Sequence, residues 1–142
     1  MPSVTVLGTG VGPEDLTEAH REAIEAAEVL VGGKRQLAVF AGQSERTWIL
    51  GANPATTLEA VKQEAGGKRV VILASGDPLF FGIGNLAVKV FGPESVLFLP
   101  NVTALQKTFA RLKLPWNGAR TVSVHGRKPM EFFSALADPG CI

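Results

Sequence analysis

The sequence predicts an α/β protein with a mostly parallel five-stranded sheet and helices on both faces. Short apolar runs that stop at turn residues alternate five times with longer segments of helical periodicity. This alternation is typical of sheets built from strand–helix–strand units. The clearest run is Val70–Ala74, which is apolar throughout and stops at Ser75-Gly76-Asp77-Pro78. A run without a polar break is typical of a strand buried on both faces.

Length and composition fit one main domain with its own core. The chain has 142 residues, 46% of them hydrophobic, and a chain of this length buries roughly two thirds of its unfolded surface. Its 14 basic and 13 acidic residues indicate neither a nucleic acid nor an anionic membrane as partner. The single cysteine, Cys141, excludes an internal disulfide framework. The first apolar segment is neither a signal peptide nor a membrane span, so we expect a cytoplasmic protein.

Each predicted strand is a short apolar run next to turn residues. The five strands span Ser3–Leu7, Glu28–Val31, Arg46–Leu50, Val70–Ala74 and Ser95–Leu99. The first strand leads into the glycine loop Gly8–Pro13, and the second ends at Gly32-Gly33. The strand ends are therefore rich in residues that favour tight turns.

The predicted helices follow the strands and carry apolar residues on one face. They comprise a helix carrying Ala19 to Ala27, one over Lys34–Ala41, one through Leu58 to Ala65, one from about Leu79 to Phe91, and one after Ala104 that runs to about Leu112. Asp15 with Glu18, and Thr56 with Glu59, have the spacing of capping boxes. Asp77 before Pro78 has the pattern of a helix N-cap with proline in the first turn.

The end of the chain predicts the beginning of a second domain. We expect a main α/β domain over 1–114, a linker over 115–118 and the start of an incomplete second α/β domain over 119–142. Arg120–His125 restarts a strand pattern, and Phe132, Phe133 and Leu136 form an apolar helical face with no partner layer after it. We therefore expect this chain to be the N-terminal portion of a longer protein.

The loops after the strands argue against several common chemistries. The dinucleotide fingerprint needs a glycine where this chain has Pro13, and an acid where it has Gly32-Gly33. No glycine loop ends in lysine followed by serine or threonine, as a phosphate-binding P-loop requires. His20 and His125 lack a suitably spaced nucleophile or metal ligand, so a catalytic triad and a zinc site are disfavoured. We expect His20 on the surface of the first helix.

What remains is a site formed by the backbone. Six glycines lie at or just beyond strand ends, namely Gly8, Gly10, Gly12, Gly76, Gly82 and Gly84. Missing side chains let a ligand approach peptide N–H and C=O groups closely. Such a site suits a ligand that brings its own reactivity. The residues indicate no catalytic base, and we nominate none.

Four segments together resemble the tetrapyrrole methylase family. They are residues 8–17, 74–84, 100–106 and 123–127, which occur in the family's order over nearly the whole chain. Within the family, the chain is most similar to the precorrin-6Y methyltransferases, which methylate a corrin precursor at C5 in cobalamin biosynthesis. The resemblance implies S-adenosylmethionine as cofactor, S-adenosylhomocysteine as product, a homodimer, and a cofactor cleft between two α/β domains. It also implies that a fused or separate domain methylates C15 and removes a carboxyl group.

The resemblance also implies roles for individual residues. The cofactor-binding residues would be Ser75, Gly76, Asp77, Phe80, Thr103 and Ala104. The tetrapyrrole would contact Gly10, Pro13, His125 and Arg127. The first loop departs from the family pattern, because it carries Val11 and is one residue shorter before Pro13. Since much of the second cleft wall would lie in the second domain, we expect this chain alone to transfer no measurable methyl group.

Two other functions stay open at this point. The same loops would also suit a non-catalytic ligand-binding or regulatory domain of this fold. A family member that methylates a non-corrin substrate, such as a protein histidine or ribosomal RNA, shares the segment Gly76-Asp77-Pro78. Residues 123–127 favour the corrin branch. Individually, Asp77 and Thr103 have alternative roles as helix caps, and Phe80 as a core residue.

Overall fold

The computed structural model describes residues 3–40, 42–44, 46–123, 130 and 133. The chain forms two compact units, residues 1–104 and residues 105–142. The strands of the first unit are β1 (Val4–Gly8), β2 (Val29–Gly32), β3 (Arg46–Ile49), β4 (Val70–Ala74) and β5 (Val96–Leu99). Its helices are α1 (Glu18–Glu25), α2 (Lys34–Val39), α3 (Pro54–Glu64) and α4 (Gly84–Phe91). The last helix, α5 (Ala104–Leu112), continues into the second unit.

The five strands form one sheet in the order β3-β2-β4-β1-β5, and every neighbouring pair is parallel. Val4 of β1 lies opposite Val70 of β4 and Val96 of β5. The predicted parallel five-stranded sheet is therefore confirmed. It places β4, the most apolar run of the sequence, in the central position.

Two cores cover the two faces of this sheet. Successive β4 residues alternate between them, because side chains along a strand have a period of two. Val70 and Ile72 pack in the core that contains α3 and α4. Val71 and Leu73 pack in the core that contains α1 and α2. All five residues of β4 are buried, as expected for a strand covered by helices on both faces.

Both predicted capping boxes are wrong, because the helices begin elsewhere. The N-cap of α1 is Thr17, and the His20 side chain accepts a hydrogen bond from its backbone N–H. Asp15 binds the glycine loop instead. The N-cap of α3 is Asn53, whose side chain accepts a hydrogen bond of 3.4 Å from the Thr56 backbone N–H. In both cases the true cap lies close to the predicted one.

The helix expected from Leu79 begins only at Gly84, so this boundary was predicted wrongly. Phe81 has a φ of +53°, and a left-handed residue interrupts a right-handed helix. The Gly84 N–H donates to the Pro78 carbonyl oxygen at 2.8 Å and closes a loop over residues 78–84. The loop separates Asp77 from α4, so Asp77 is not a helix cap.

Few of the described residues bear on the predicted second domain. In the predicted strand Arg120–His125, residues 120–123 are not in a strand, so that part of the prediction is wrong. Phe133 is helical, whereas Phe132 and Leu136 lie outside the described residues. The linker over 115–118 and the second domain over 119–142 stay predictions.

Candidate functional site

The candidate site lies at the carboxyl ends of β1 and β4, which are neighbours in the sheet. The helix after β1 packs on one face and the helix after β4 packs on the opposite face. The two following loops therefore leave the sheet towards opposite faces. In open α/β sheets this switch in direction is where ligands bind. The fold thus places the glycine loop beside residues 75–78.

Two backbone hydrogen bonds join these loops. The Gly76 N–H donates to the Gly10 carbonyl oxygen at 2.9 Å, and the Gly10 N–H donates to the Gly76 carbonyl oxygen at 3.2 Å. Both glycines are left-handed, with φ values of +67° for Gly10 and +62° for Gly76. Residues with a Cβ rarely adopt this conformation, so glycine is required at both positions.

Most of the glycines at the strand ends serve packing within the chain. A Cβ on Gly8 would lie 2.5 Å from the Gly76 carbonyl oxygen, and one on Gly84 would lie 2.6 Å from the Pro78 carbonyl oxygen. A Cβ on Gly10 would collide with the Asp15 side chain. The expectation that all of these glycines leave room for a ligand is therefore wrong. Gly76 differs, because the nearest atom to its Cβ position is the Thr103 Cα, at 3.6 Å.

The Asp77 carboxylate orders two of the site loops. Its Oδ1 accepts a hydrogen bond of 2.8 Å from the Leu79 N–H, which is the pattern of an Asx turn. Its Oδ2 accepts a hydrogen bond of 3.2 Å from the Asn101 N–H, in the loop after β5. A carboxylate has about four lone-pair positions, so acceptor capacity remains on Asp77 for a ligand donor.

Asn101 connects three loops, and the sequence interpretation did not single it out. Its Nδ2 donates to the Gly8 carbonyl oxygen at 2.9 Å and to the Asp15 carbonyl oxygen at 3.0 Å. Its Oδ1 accepts a hydrogen bond of 2.7 Å from the Val102 N–H. The only signal in the sequence was an asparagine in a turn between strand and helix, which is also common where no such network exists.

His20 is buried, with 5% of its surface exposed, so its predicted surface position is wrong. Its Nδ1 accepts the Thr17 N–H at 3.3 Å. The ring proton is therefore assigned to Nε2, which donates to the Pro100 carbonyl oxygen at 3.1 Å. His20 thus takes the place of the usual glutamate in a capping box. It links the start of α1 to the loop after β5.

A glutamine on α2 orients the Ser75 hydroxyl. The Gln36 Oε1 accepts a hydrogen bond of 3.0 Å from the Gly33 N–H, which assigns the other end of the amide as its NH2 group. That Nε2 donates to Ser75 Oγ at 3.3 Å. The hydroxyl proton of Ser75 is then free to point towards an acceptor on a ligand. Ser75 itself is exposed.

The remaining predicted site residues lie in different surroundings. Thr103 is buried, Ala104 is exposed, and the two residues stand at the start of α5. Pro13 is exposed and begins a short 3-10 turn, Pro13–Asp15. His125 and Arg127 lie outside the described residues. The roles of these residues in binding cofactor or tetrapyrrole stay predictions.

An apolar loop tip stands beside Asp77. Leu79, Phe80 and Phe81 are exposed by 61%, 38% and 50%. The two phenylalanine rings meet edge to face, with centroids 4.7 Å apart and planes at 70°. Within the described part of the chain, no three histidine, cysteine or acidic side chains are grouped as a metal site would need. The site therefore combines backbone groups, one carboxylate and an aromatic tip.

An open parallel sheet with glycine-containing loops at its switch point defines a class of α/β domains that bind nucleotide-type cofactors. The chain belongs to the Tetrapyrrole (Corrin/Porphyrin) Methylases, whose family model matches residues 3–140. The resemblance carried by the four sequence segments is thereby confirmed.

Two curated relatives illustrate the similarity. Over 127 residues the chain is 40% identical to the cobalt-precorrin-7 C(5)-methyltransferase of Salmonella typhimurium, covering 87% of this chain and 62% of the relative. It is 36% identical over 119 residues to the precorrin-6Y C(5,15)-methyltransferase [decarboxylating] of Mycobacterium tuberculosis, covering 80% of this chain and 29% of the relative. The chain thus spans less than two thirds of the length of these relatives.

Solved structures share the fold. The precorrin-6Y methylase from Archaeoglobus fulgidus has a TM-score of 0.72 at 24% identity, over 86% of this chain and 64% of that chain. The uroporphyrin-III C-methyl transferase from Thermus thermophilus, solved in complex with S-adenyl homocysteine, has a TM-score of 0.60 at 24% identity, over 83% of this chain and 52% of that chain. In the part of the chain that the structure describes, no helix is long and apolar enough to cross a membrane.

Proposed function

We propose that the chain acts in an S-adenosylmethionine-dependent methyltransferase that methylates a corrin precursor at C5 in cobalamin biosynthesis. The observation that carries the proposal is the pair of glycine-containing loops joined at the β1–β4 switch point, in a chain 40% identical to a C(5)-methyltransferase. Identity to the cobalt-factor III methyltransferase of Priestia megaterium is lower, at 31% over 90 residues. The order of these identities supports C5 as the position that is methylated.

The residues of these loops fit such a cofactor. A Cβ at Gly76 would meet no atom closer than 3.6 Å, so the Gly76 backbone is less crowded than that of Gly8 or Gly84. The Ser75 hydroxyl, oriented by Gln36, can donate to a carboxylate oxygen. The free lone pairs of Asp77 can accept from an ammonium or hydroxyl group. The Cα of Thr103 lies 3.6 Å from the position that a Gly76 Cβ would take, so Thr103 stands beside the same turn.

The chemistry requires alignment more than acid–base catalysis. When bound, S-adenosylmethionine supplies a methyl group already activated by its sulfonium. The loops of this chain would hold the cofactor rigidly, because the Gly10–Gly76 pair and the Asn101 network fix their positions. Fixed orientation of two reactants lowers the barrier by removing the entropy of their encounter. Gly10 and Pro13 would face the tetrapyrrole, and His125 and Arg127 would bind its carboxylates.

The remaining parts of the proposal concern assembly and location. We propose a homodimer, as the family resemblance implies, and a cytoplasmic location. The relatives include both C(5)- and C(5,15)-methyltransferases. A domain that acts at C15 is therefore compatible with the proposal whether it is fused to this chain or separate from it. Light scattering of the purified protein tests the dimer, for which a monomer at micromolar concentration would be the contrary result. Absence of methyl transfer by the 142-residue chain alone stays a prediction.

Calorimetric titration of the 142-residue chain with S-adenosylhomocysteine tests the binding site. We expect saturable binding with a dissociation constant of about 1 mM or tighter. Ser75→Ala should weaken it by roughly 2- to 10-fold, the effect of one hydrogen bond. Ser95→Ala is the matched control, because Ser95 ends the 3-10 turn before β5, at the opposite end of that strand from the site. No binding at millimolar ligand, or equal effects of both variants, would contradict the proposed site.

A further inference from the structure

We propose that Phe81 is a ligand-contacting residue, which forms with Phe80 a platform for a flat conjugated ring. The identity of that ring rests on the proposed function, which supplies two candidates. They are the adenine of the cofactor and the tetrapyrrole. Backbone conformation, exposure and position in the loop over residues 78–84 all support such a platform.

The backbone at Phe81 does not favour phenylalanine. Its φ of +53° places a bulky side chain in the left-handed region, which costs free energy of folding for every residue except glycine. Lys113 is the other non-glycine residue with a positive φ in the described part of the chain. Lys113 follows the last residue of α5, and hydrogen bonds Lys113 N–H to Ala110 O and Leu114 N–H to Phe109 O form a Schellman motif. That motif explains Lys113, whereas Phe81 ends no helix.

Burial does not favour phenylalanine at this position either. Half of the Phe81 surface is exposed, and the neighbouring Leu79 is more exposed still. The base of the loop is fixed, because Pro78 and Gly84 are buried and their backbones are hydrogen-bonded at 2.8 Å. A rigid base with an exposed apolar tip is typical of a binding loop rather than of a loop that packs on the core.

The tip is attached to the candidate site through Asp77. The carboxylate that accepts the Leu79 N–H at 2.8 Å also accepts the Asn101 N–H, in the loop after β5, at 3.2 Å. The edge-to-face contact with Phe80 sets the orientation of both rings at an angle of 70°. With their planes 70° apart, the Phe81 ring can stack face to face on a flat conjugated ligand while the Phe80 ring meets that ligand edge on. Phe81 is thus retained for a contact with ligand, against its backbone preference.

The test uses the 142-residue chain and three variants, Phe81→Gly, Phe81→Tyr and Lys113→Gly. Affinity is measured for S-adenosylhomocysteine by calorimetry and for uroporphyrin III, a soluble tetrapyrrole probe, by the shift of its absorption bands. Thermal unfolding is measured in parallel. We expect Phe81→Gly to keep or raise the melting temperature and to weaken binding of one probe about tenfold. Phe81→Tyr should retain the affinity of the parent chain, because it keeps the aromatic face.

Each outcome decides the proposal. Loss of S-adenosylhomocysteine binding assigns the platform to adenine, and loss of porphyrin binding assigns it to the tetrapyrrole. Unchanged affinity for both probes overturns the proposal while leaving the proposed function intact, and a parent chain that binds neither probe overturns both. A melting temperature lowered by several degrees in Phe81→Gly but not in Lys113→Gly would identify Phe81 as a packing residue. A changed oligomeric state without changed affinity would identify it as a subunit contact.

Discussion

Asn101→Asp is the substitution that most directly perturbs the connection between the three site loops. The two side chains have nearly the same shape, so the substitution changes chemistry and leaves volume almost constant. In the parent chain, Nδ2 donates to the carbonyl oxygens of Gly8 and Asp15 at 2.9 and 3.0 Å. An ionised aspartate has no proton to donate and places a negative oxygen against two carbonyl oxygens.

The expected cost follows from these contacts. Each lost hydrogen bond destabilises by about 0.5–1.5 kcal/mol, and a partly buried carbonyl left without a donor adds roughly 1 kcal/mol. We therefore expect Asn101→Asp to lower the free energy of unfolding by about 2–4 kcal/mol. Asn101→Ala introduces no charge repulsion but also removes the acceptor of the Val102 N–H, so its cost should fall in the same range.

Urea unfolding followed by circular dichroism measures these differences. Asn85→Asp is the matched control, because Asn85 is exposed in the first turn of α4, where a negative charge is favourable. It should change the free energy of unfolding by less than about 0.5 kcal/mol. If Asn101→Asp were no more destabilising than Asn85→Asp, the role of Asn101 in connecting the loops would be refuted.

Two further predictions concern His20 and Gly84, which hold the loops around the site in place, and they use the same unfolding assay. His20→Ala should lower the free energy of unfolding by about 2–4 kcal/mol, since it removes a buried ring and its hydrogen bond to Pro100. His20→Gln keeps a capping-box acceptor and should cost clearly less; equal costs would argue against the capping role. Gly84→Ala should destabilise by about 1–3 kcal/mol, because its Cβ would meet backbone and ring atoms within 3 Å. Gly66→Ala, where nothing lies within 4 Å, should be neutral or slightly stabilising, and a similar loss at both glycines would contradict the packing explanation.

The strands were predictable because local sequence determines them. The apolar run Val70–Ala74 is long enough to specify a strand buried on both faces, and its bounds agree with β4. Helix starts were less predictable, since several residues near each start can serve as a cap. Asp15 and Thr17 are both good candidates, and the choice depends on the contact of His20 with Pro100, 80 residues away in sequence.

The site was predictable in its place but not in its details. Parallel topology brings strand ends to one edge, so the turn after β4 was a sound candidate from sequence alone. The roles of Asn101 and Gln36 depend on neighbours from distant parts of the chain, which no local pattern reveals. The same is true of glycine: only the structure separates Gly8, whose Cβ would collide with Gly76 and Asn101, from Gly76, whose Cβ would meet no atom closer than 3.6 Å.

The most direct test of the proposed site is amide mapping by nuclear magnetic resonance while S-adenosylhomocysteine is added to the 15N-labelled chain. We predict that the largest shift changes fall on Gly10, Gly76, Asp77 and Thr103, and that the amides of α3, on the face of the sheet and away from the strand ends, change little. Changes that concentrate on α3, or no changes at millimolar ligand, would contradict a cofactor site at the carboxyl ends of β1 and β4.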